Sequence, residues 1–347
     1  MIIIGFVNKR KLPDPKNLIK QAPLRPDLQK IKKQRDKELK AITEGRDTRF
    51  LLVIGPCSAD DEDSVCKYVA RLAKVYEKVK DKLFIVPRIY TNKPRTTGEG
   101  YKGMLHQPDP LGDSDLIAGI KAIRNMHIRC IEETHLTGAD EMLYPDNLVY
   151  CQDLLSYIAI GARSVENQQH RLVSSGIDVP VGFKNPTSGD LSVMFNGIQA
   201  AQSSKDFIYR DEEVETTGNP LAHAILRGST NRYGEDIPNY HYEDLELAVK
   251  MYEERGFLNP MILVDCNHSN SKKKYKEQQR IAKDILYTRN HNVKIKKIVR
   301  GLMIESYLTE GRQDVGNGRY KTGRSITDPC LGWDDTEALL YYIAENI

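Results

Sequence analysis

From Phe50 onward, short apolar runs alternate with longer amphipathic stretches, and this alternation limits the possible folds more than any other feature of the chain. The runs are Phe50–Gly55, Leu83–Arg88, Leu136–Met142, Ile158–Arg163, Val181–Lys184, Ala222–Arg227, Met261–Cys266 and Ile298–Glu305. Near-continuous apolar runs of this length suit strands buried on both faces, as in a parallel sheet. Helical periodicity fills most of the gaps, over Ser64–Val79, Leu116–Glu133, Tyr242–Arg255 and Tyr275–Thr288, long enough for right-handed crossovers. Eight such units predict a closed (β/α)8 cylinder, the TIM barrel. No GxGxxG follows the first run, which argues against a dinucleotide-binding sheet. The stretch 201–220 holds the strand-like Phe207-Ile208-Tyr209 and no helical pattern, so it reads as a β excursion before the sixth strand.

The first residues differ from the rest. Pro13, Pro15, Pro23 and Pro26 punctuate an extended arm, and Asp27 to Glu44 follows as a charged amphipathic helix stopped at Gly45. We therefore expect an appended extension over 1–49, suited to assembly or regulation, and one catalytic barrel over 50–347. The chain carries 51 Lys+Arg against 48 Asp+Glu, too even a balance for a protein devoted to nucleic acid or an anionic membrane. The basic runs Lys272–Lys274 and Lys294–Lys297 lack interleaved aromatics and read as solvated faces. No apolar stretch reaches the ~18 residues that span a bilayer, and the start lacks a signal peptide's order of regions, so a cytoplasmic location is expected. The six cysteines form no CxxC pair, which fits reduced thiols.

An active site in such a barrel lies at the C-terminal ends of its strands. Here the runs end on Gly55-Pro56-Cys57-Ser58, Arg88, Asp140-Glu141, Gly161-Ala162-Arg163, Lys184, Arg227, Asp265-Cys266-Asn267-His268 and Glu305-Ser306. Any one of these could be a solvated residue leaving a strand; eight together describe a charged pocket. Arg88, Arg163, Lys184 and Arg227, with Lys93 and Arg95 in the loop after the second run, gather cations whose repulsion only anions offset. The ligand class is a small polyanion bearing phosphate and carboxylate. Cys57, His268 and Glu305, with Asp328 as a fourth, are ligand types that a borderline divalent metal accepts. Their separations match no local metal motif, and a free Cys or strand-end His serves packing as often, so the residues alone leave both readings open.

Taken in order, Gly55-Pro56-Cys57-Ser58, Pro87-Arg88-Ile89-Tyr90, Lys93-Pro94-Arg95-Thr96-Thr97, Ile160-Gly161-Ala162-Arg163, Pro180-Val181-Gly182-Phe183-Lys184-Asn185, Ile225-Leu226-Arg227-Gly228, His268-Ser269-Asn270-Ser271, Ile304-Glu305-Ser306 and Ser325-Ile326-Thr327-Asp328 strongly resemble the type I 3-deoxy-D-arabino-heptulosonate 7-phosphate (DAHP) synthases. The match runs over about residues 28–345. The resemblance implies condensation of phosphoenolpyruvate (PEP) with erythrose 4-phosphate, releasing phosphate, at the entry to the shikimate pathway of aromatic amino acid biosynthesis. It implies Arg88, Arg163, Lys184 and Arg227 on PEP, with Glu141 near the reacting end. Lys93, Pro94, Arg95 and Thr96 would meet the aldose phosphate, Lys93 lying between the substrates. Cys57, His268, Glu305 and Asp328 would hold Mn, Fe, Co or Zn. Lys93, Glu141 and Lys184 are thus the expected catalytic residues.

The resemblance further implies a homodimer or homotetramer, and pairing of Cys57 with Cys330 when metal is lost. This chain departs from the family pattern in places. Met142-Leu143-Tyr144-Pro145-Asp146-Asn147, Asp178 and Pro186-Thr187-Ser188-Gly189 replace segments tied in the family to inhibitor binding, so weak or altered feedback by Phe, Tyr or Trp is expected. Two alternatives stand beside this reading: a sister 3-deoxy-D-manno-octulosonate 8-phosphate synthase, disfavoured by Lys93-Pro94-Arg95-Thr96, and a non-catalytic ligand-sensing barrel, which should have lost a ligand or cation.

Overall fold

The computed structural model describes residues 5–95, 98–315 and 320–347. Eight strands form its barrel, numbered here β1 (Phe50–Gly55), β2 (Leu83–Pro87), β3 (Ala139–Glu141), β4 (Tyr157–Ile160), β5 (Val181–Lys184), β6 (His223–Leu226), β7 (Ile262–Asp265) and β8 (Val299–Glu305). All neighbouring strands pair in parallel, β8 lying against both β1 and β7. The cylinder closes between β2 and β3 through a single parallel bridge, Arg88 to Ala139, with Ile89 N–H donating to the Ala139 carbonyl at 2.9 Å.

Alternation along each strand separates two apolar layers. Leu51, Val53, Phe84, Val86, Ala159, Ile225, Leu263 and Met303 fill the cylinder. Leu52, Ile54, Ile85, Ile158, Phe183, Leu226, Val264 and Ile304 face outward and pack under the helices. Both faces are buried, so strand sequences read as unbroken apolar runs rather than alternating ones.

The first two long crossovers of the barrel start on side-chain caps. Asp61 accepts from Ser64 N ahead of the helix Glu62–Val79, and Asp115 accepts from Ile117 N and Ala118 N ahead of Leu116–Thr134. The expected helices are present within a few residues of their bounds, and Tyr242–Arg255 coincides with its helix, which ends at Gly256 in the left-handed conformation. Helices at Gln168–Ser174, Leu191–Gln202 and Trp333–Asn346 add to those read from periodicity. The expected excursion is an antiparallel hairpin, Lys205–Tyr209 with Glu212–Thr216, turned at Arg210 and Asp211 with φ of 53° and 67°.

Two expectations need correction. The proline-rich arm is not wholly extended, because Asp14 caps a two-turn helix, Pro15–Gln21, that has Pro at its first position, where no N–H is required. The third strand starts at Ala139 rather than Leu136, because the preceding helix ends on a left-handed His135 and the chain needs the intervening residues to re-enter the sheet.

The helix Pro26–Thr43 lies across the lower end of the barrel. Leu39 and Ile42 are fully buried in the cluster that fills the cylinder, and Arg300 Nη1 donates to the Ile42 and Thr43 carbonyls at 3.0 and 2.9 Å. With the base plugged, the open end is the one where the strands run out.

Candidate active site

At the C-terminal ends of the strands a cavity of about 290 Å3 opens between the loops. Arg88, Lys93, Arg95, Arg163, Lys184 and Arg227 all line it, as do Cys57, Pro94, Glu141, His268 and Asp328. Residues as far apart in sequence as Cys57 and Asp328 share one mouth. Thr96 lies outside the described residues. Glu305 sits beneath the lining, fully buried.

Eight Lys and Arg side chains line the cavity against two carboxylates, so its field is strongly positive. Two of the eight were not singled out from the sequence. Lys273 belongs to a run assigned to solvent; it is exposed, yet the chain after β7 curls through left-handed residues at His268, Lys272 and Lys273 and returns Lys273 to the rim. That assignment is therefore incomplete, since exposure and a place at the mouth are compatible. Arg312 reaches the rim from the short strand Thr309–Arg312 and pairs with Asp314 at 3.0 Å. No local pattern marks either residue.

The floor is a connected polar network. Arg88 donates to the Pro56 carbonyl and to the Cys57 carbonyl (2.8 Å), lies 2.9 Å from Glu305 Oε1, and stacks on Tyr90 at 3.7 Å. Lys93 Nζ donates to Cys57 Sγ at 3.1 Å. Asn267 Nδ2 donates to Glu305 Oε2 at 2.6 Å, and Lys184 Nζ to Asp265 Oδ2 at 2.9 Å. Arg88 Nε and Glu305 Oε1 are buried without a well-formed hydrogen bond, since the 2.9 Å approach to Glu305 is an ion contact of poor alignment.

Burial and the Glu305 carboxylate hold the Cys57 thiol above its ordinary value, with Lys93 opposing them. Burial alone would raise Asp265 and Asp328. Instead His268 and Lys184 hold Asp265 well below the carboxylate range, and His268, Lys93 and Lys273 hold Asp328 below it. Arg227 is lowered by burial. Asp140 is pushed up to about 7 by burial, although it accepts from Thr91 N at 2.9 Å and Glu141 N at 2.7 Å. It thereby ties the loop carrying Lys93 to the strand end carrying Glu141.

Two glycines set the geometry. A Cβ on Gly55 would meet the Arg88 carbonyl at 2.3 Å, so β1 and β2 approach closely where Arg88 enters the floor. A Cβ on Gly161 would lie 2.3 Å from Glu141 Oε1, and glycine there leaves the carboxylate its place at the cavity wall.

Three of the four expected metal ligands converge. The donor atoms of Cys57, Glu305 and Asp328 lie within 4.8 Å of one another. His268 adjoins this group, its Nε2 at 3.7 Å from Glu305 Oε1, without falling inside the same radius. One thiol, one imidazole and two carboxylates around a buried, poorly satisfied carboxylate oxygen suit a borderline divalent ion such as Mn, Fe, Co or Zn. Cys330 is a near neighbour: Cys57 N–H donates to its Sγ at 3.4 Å.

A closed parallel barrel with a cationic mouth and a candidate metal site at its floor defines a barrel enzyme for small polyanions. The chain belongs to the DAHP synthetase I family, whose profile matches residues 28–341. It is 37% identical over 339 residues to a phospho-2-dehydro-3-deoxyheptonate aldolase of Haemophilus influenzae, covering 96% of this chain and 91% of that protein. It is likewise 37% identical to the Tyr-sensitive enzyme of Escherichia coli (90% and 86% covered) and to the phenylalanine-inhibited enzyme of Saccharomyces cerevisiae (88% and 83%). Its fold is similar to the solved structure of the Francisella tularensis phospho-2-dehydro-3-deoxyheptonate aldolase, with a TM-score of 0.91, 30% identity, and 99% and 98% of the two chains covered.

Proposed function

We propose that this member of the DAHP synthetase I family condenses PEP with erythrose 4-phosphate to give DAHP and inorganic phosphate, at the cavity above β1–β8. The observation that carries the reading is the gathering of phosphate- and carboxylate-binding cations around one acid and thiol cluster. Arg163, Lys184 and Arg227 hold the PEP phosphate and carboxylate, and the unpartnered Arg88 Nε adds a donor from the floor. Arg95, with Pro94 shaping its loop and Thr96 following it in sequence, takes the phosphate of the aldose.

Cys57, His268, Glu305 and Asp328 would hold a divalent ion, which would supply Lewis acidity toward the aldehyde. As C3 of PEP attacks the aldehyde carbon, Lys93 Nζ gives a proton to the developing alkoxide. Glu141 orients and deprotonates the water that adds at C2, and phosphate then leaves by C–O cleavage. PEP, erythrose 4-phosphate and water are consumed, and DAHP and phosphate are formed. The cationic walls offset the negative charge gathered in this step.

Phe6 and Val7 on the arm and Ile208 on the hairpin are exposed apolar residues. They support assembly as a homodimer or homotetramer through these projecting segments. Among the described residues no helix is long and apolar enough to cross a membrane. We place the enzyme in the cytoplasm.

The test is phosphate release from PEP with erythrose 4-phosphate, with arabinose 5-phosphate and with no sugar, after chelation and after restoring Mn2+. Release with erythrose 4-phosphate alone, abolished by chelation and recovered with metal, is expected. A preference for arabinose 5-phosphate would assign the sister activity. No release with either sugar would leave a ligand-sensing barrel.

A further inference from the structure

Asp265 ends β7 fully buried and has no part in the scheme above. Its Oδ1 accepts from Asn267 N at 3.0 Å. Its Oδ2 accepts from Lys184 Nζ at 2.9 Å and stands 2.9 Å from His268 Nδ1, a contact whose N–H is poorly aligned. One oxygen atom therefore touches the anion-binding side of the cavity and the metal-binding side at once. Among the described residues, Asp265 is the only carboxylate paired with Lys184.

A carboxylate against one ring nitrogen of histidine keeps the proton there and leaves the other nitrogen as a lone-pair donor. That other nitrogen, Nε2, is the one facing Glu305. We infer that Asp265 is a positioning residue that couples the two halves of the site, so that engagement of His268 and of Lys184 by their ligands is linked through Oδ2. The inference rests on the proposed binding of PEP at Lys184 and a divalent ion at His268. When Nε2 is engaged by a cation, Nδ1–H becomes the stronger donor and draws on Oδ2; Lys184 is released in part and its ammonium turns to the anion. The linkage is positive and reciprocal.

The experiment measures Mn2+ binding with and without PEP, and PEP binding with and without Mn2+, by calorimetry on the full chain and its Asp265→Asn variant. In the wild type each ligand should tighten the other by the same factor, ~5-fold or more. In Asp265→Asn, Mn2+ affinity should fall about 10–100-fold and the coupling factor should drop well below the wild-type value. A coupling factor of one in the wild type, or an unchanged factor in the variant, would overturn the inference. Should the variant fail to fold, 15N NMR of the wild-type His268 ring decides. A proton on Nδ1 supports the inference and a proton on Nε2 refutes it. A wild-type chain that binds neither PEP nor Mn2+ refutes the functional reading itself, whereas independent binding of both refutes only the part given to Asp265.

Discussion

The two ends of the barrel are built from the same strands on opposite terms. At the base, Leu39 and Ile42 of the helix Pro26–Thr43 join Leu51, Val53, Leu263 and Met303 in a dry apolar cluster. At the mouth, the last residues of those strands and their loops present Lys184, Asp265 and Glu305, all buried or nearly so, in ion contacts. A single strand crosses from one regime to the other: β5 runs Val181-Gly182-Phe183 and ends on Lys184, and β7 runs Ile262-Leu263-Val264 and ends on Asp265. Burying charge costs stability even when it is paired, whereas apolar packing supplies it. The comparison teaches that the base stabilises a mouth that could not hold itself together.

If that division holds, changes at the two ends should separate activity from stability. The largest effect is expected at the mouth, where Lys93→Ala should lower turnover by about 100-fold or more with little change in melting temperature. Steady-state rates at full metal occupancy check this, and near-normal turnover would remove Lys93 from proton delivery.

At the base, Leu39→Ala should cost about 2–5 kcal/mol of stability through a buried cavity, read by urea denaturation, while the folded enzyme keeps its KM values. A selective loss of kcat without loss of stability would break the comparison.

A pH experiment sharpens it further. His223, near the base, is bonded to Tyr157 Oη at 2.8 Å, and burial pushes it down to about 4. The unfolded chain therefore binds a proton that the folded one refuses between about pH 6.5 and pH 4, and stability falls as pH drops through that window. At the mouth, Asp140 has the opposite sign. With its carboxyl raised to about 7, the folded chain binds the extra proton, and stability falls as pH rises toward 7. Replacing His223 with Gln should remove on the order of 2–3 kcal/mol of the acid sensitivity between pH 7 and pH 4.5. An unchanged difference between wild type and variant would show that His223 titrates normally.

The smallest effect is expected from the segment beside Glu141. With Tyr144, Asp146 and Asn147 in place of the family's inhibitor-linked residues, micromolar Phe, Tyr or Trp should leave the initial rate unchanged. Inhibition by any one of them would show that the site survives these replacements.

The barrel was legible because its evidence is local. A strand buried on both faces must be apolar throughout, and a crossover helix must carry one apolar stripe, so both patterns stand in the order of the residues. The runs ending on Arg88, Lys184, Arg227 and Glu305 could be read the same way, since strand polarity alone assigns their ends to the mouth. The helix Leu191–Gln202 was not read, nor was the two-turn helix in the arm. The latter is set by Asp14 and Pro15 over a span too short for periodicity to show.

The residues themselves determined a closed parallel barrel, the end that carries the chemistry and the polyanionic class of its ligand. Only the tertiary structure decided that Lys273 and Arg312 join the mouth, that helix Pro26–Thr43 plugs the base, and that one oxygen of Asp265 touches both Lys184 and His268. The physical reason is range. Periodicity and strand ends are written within a few residues, whereas a shared atom or a curled loop depends on where distant segments come to rest after the cylinder has closed.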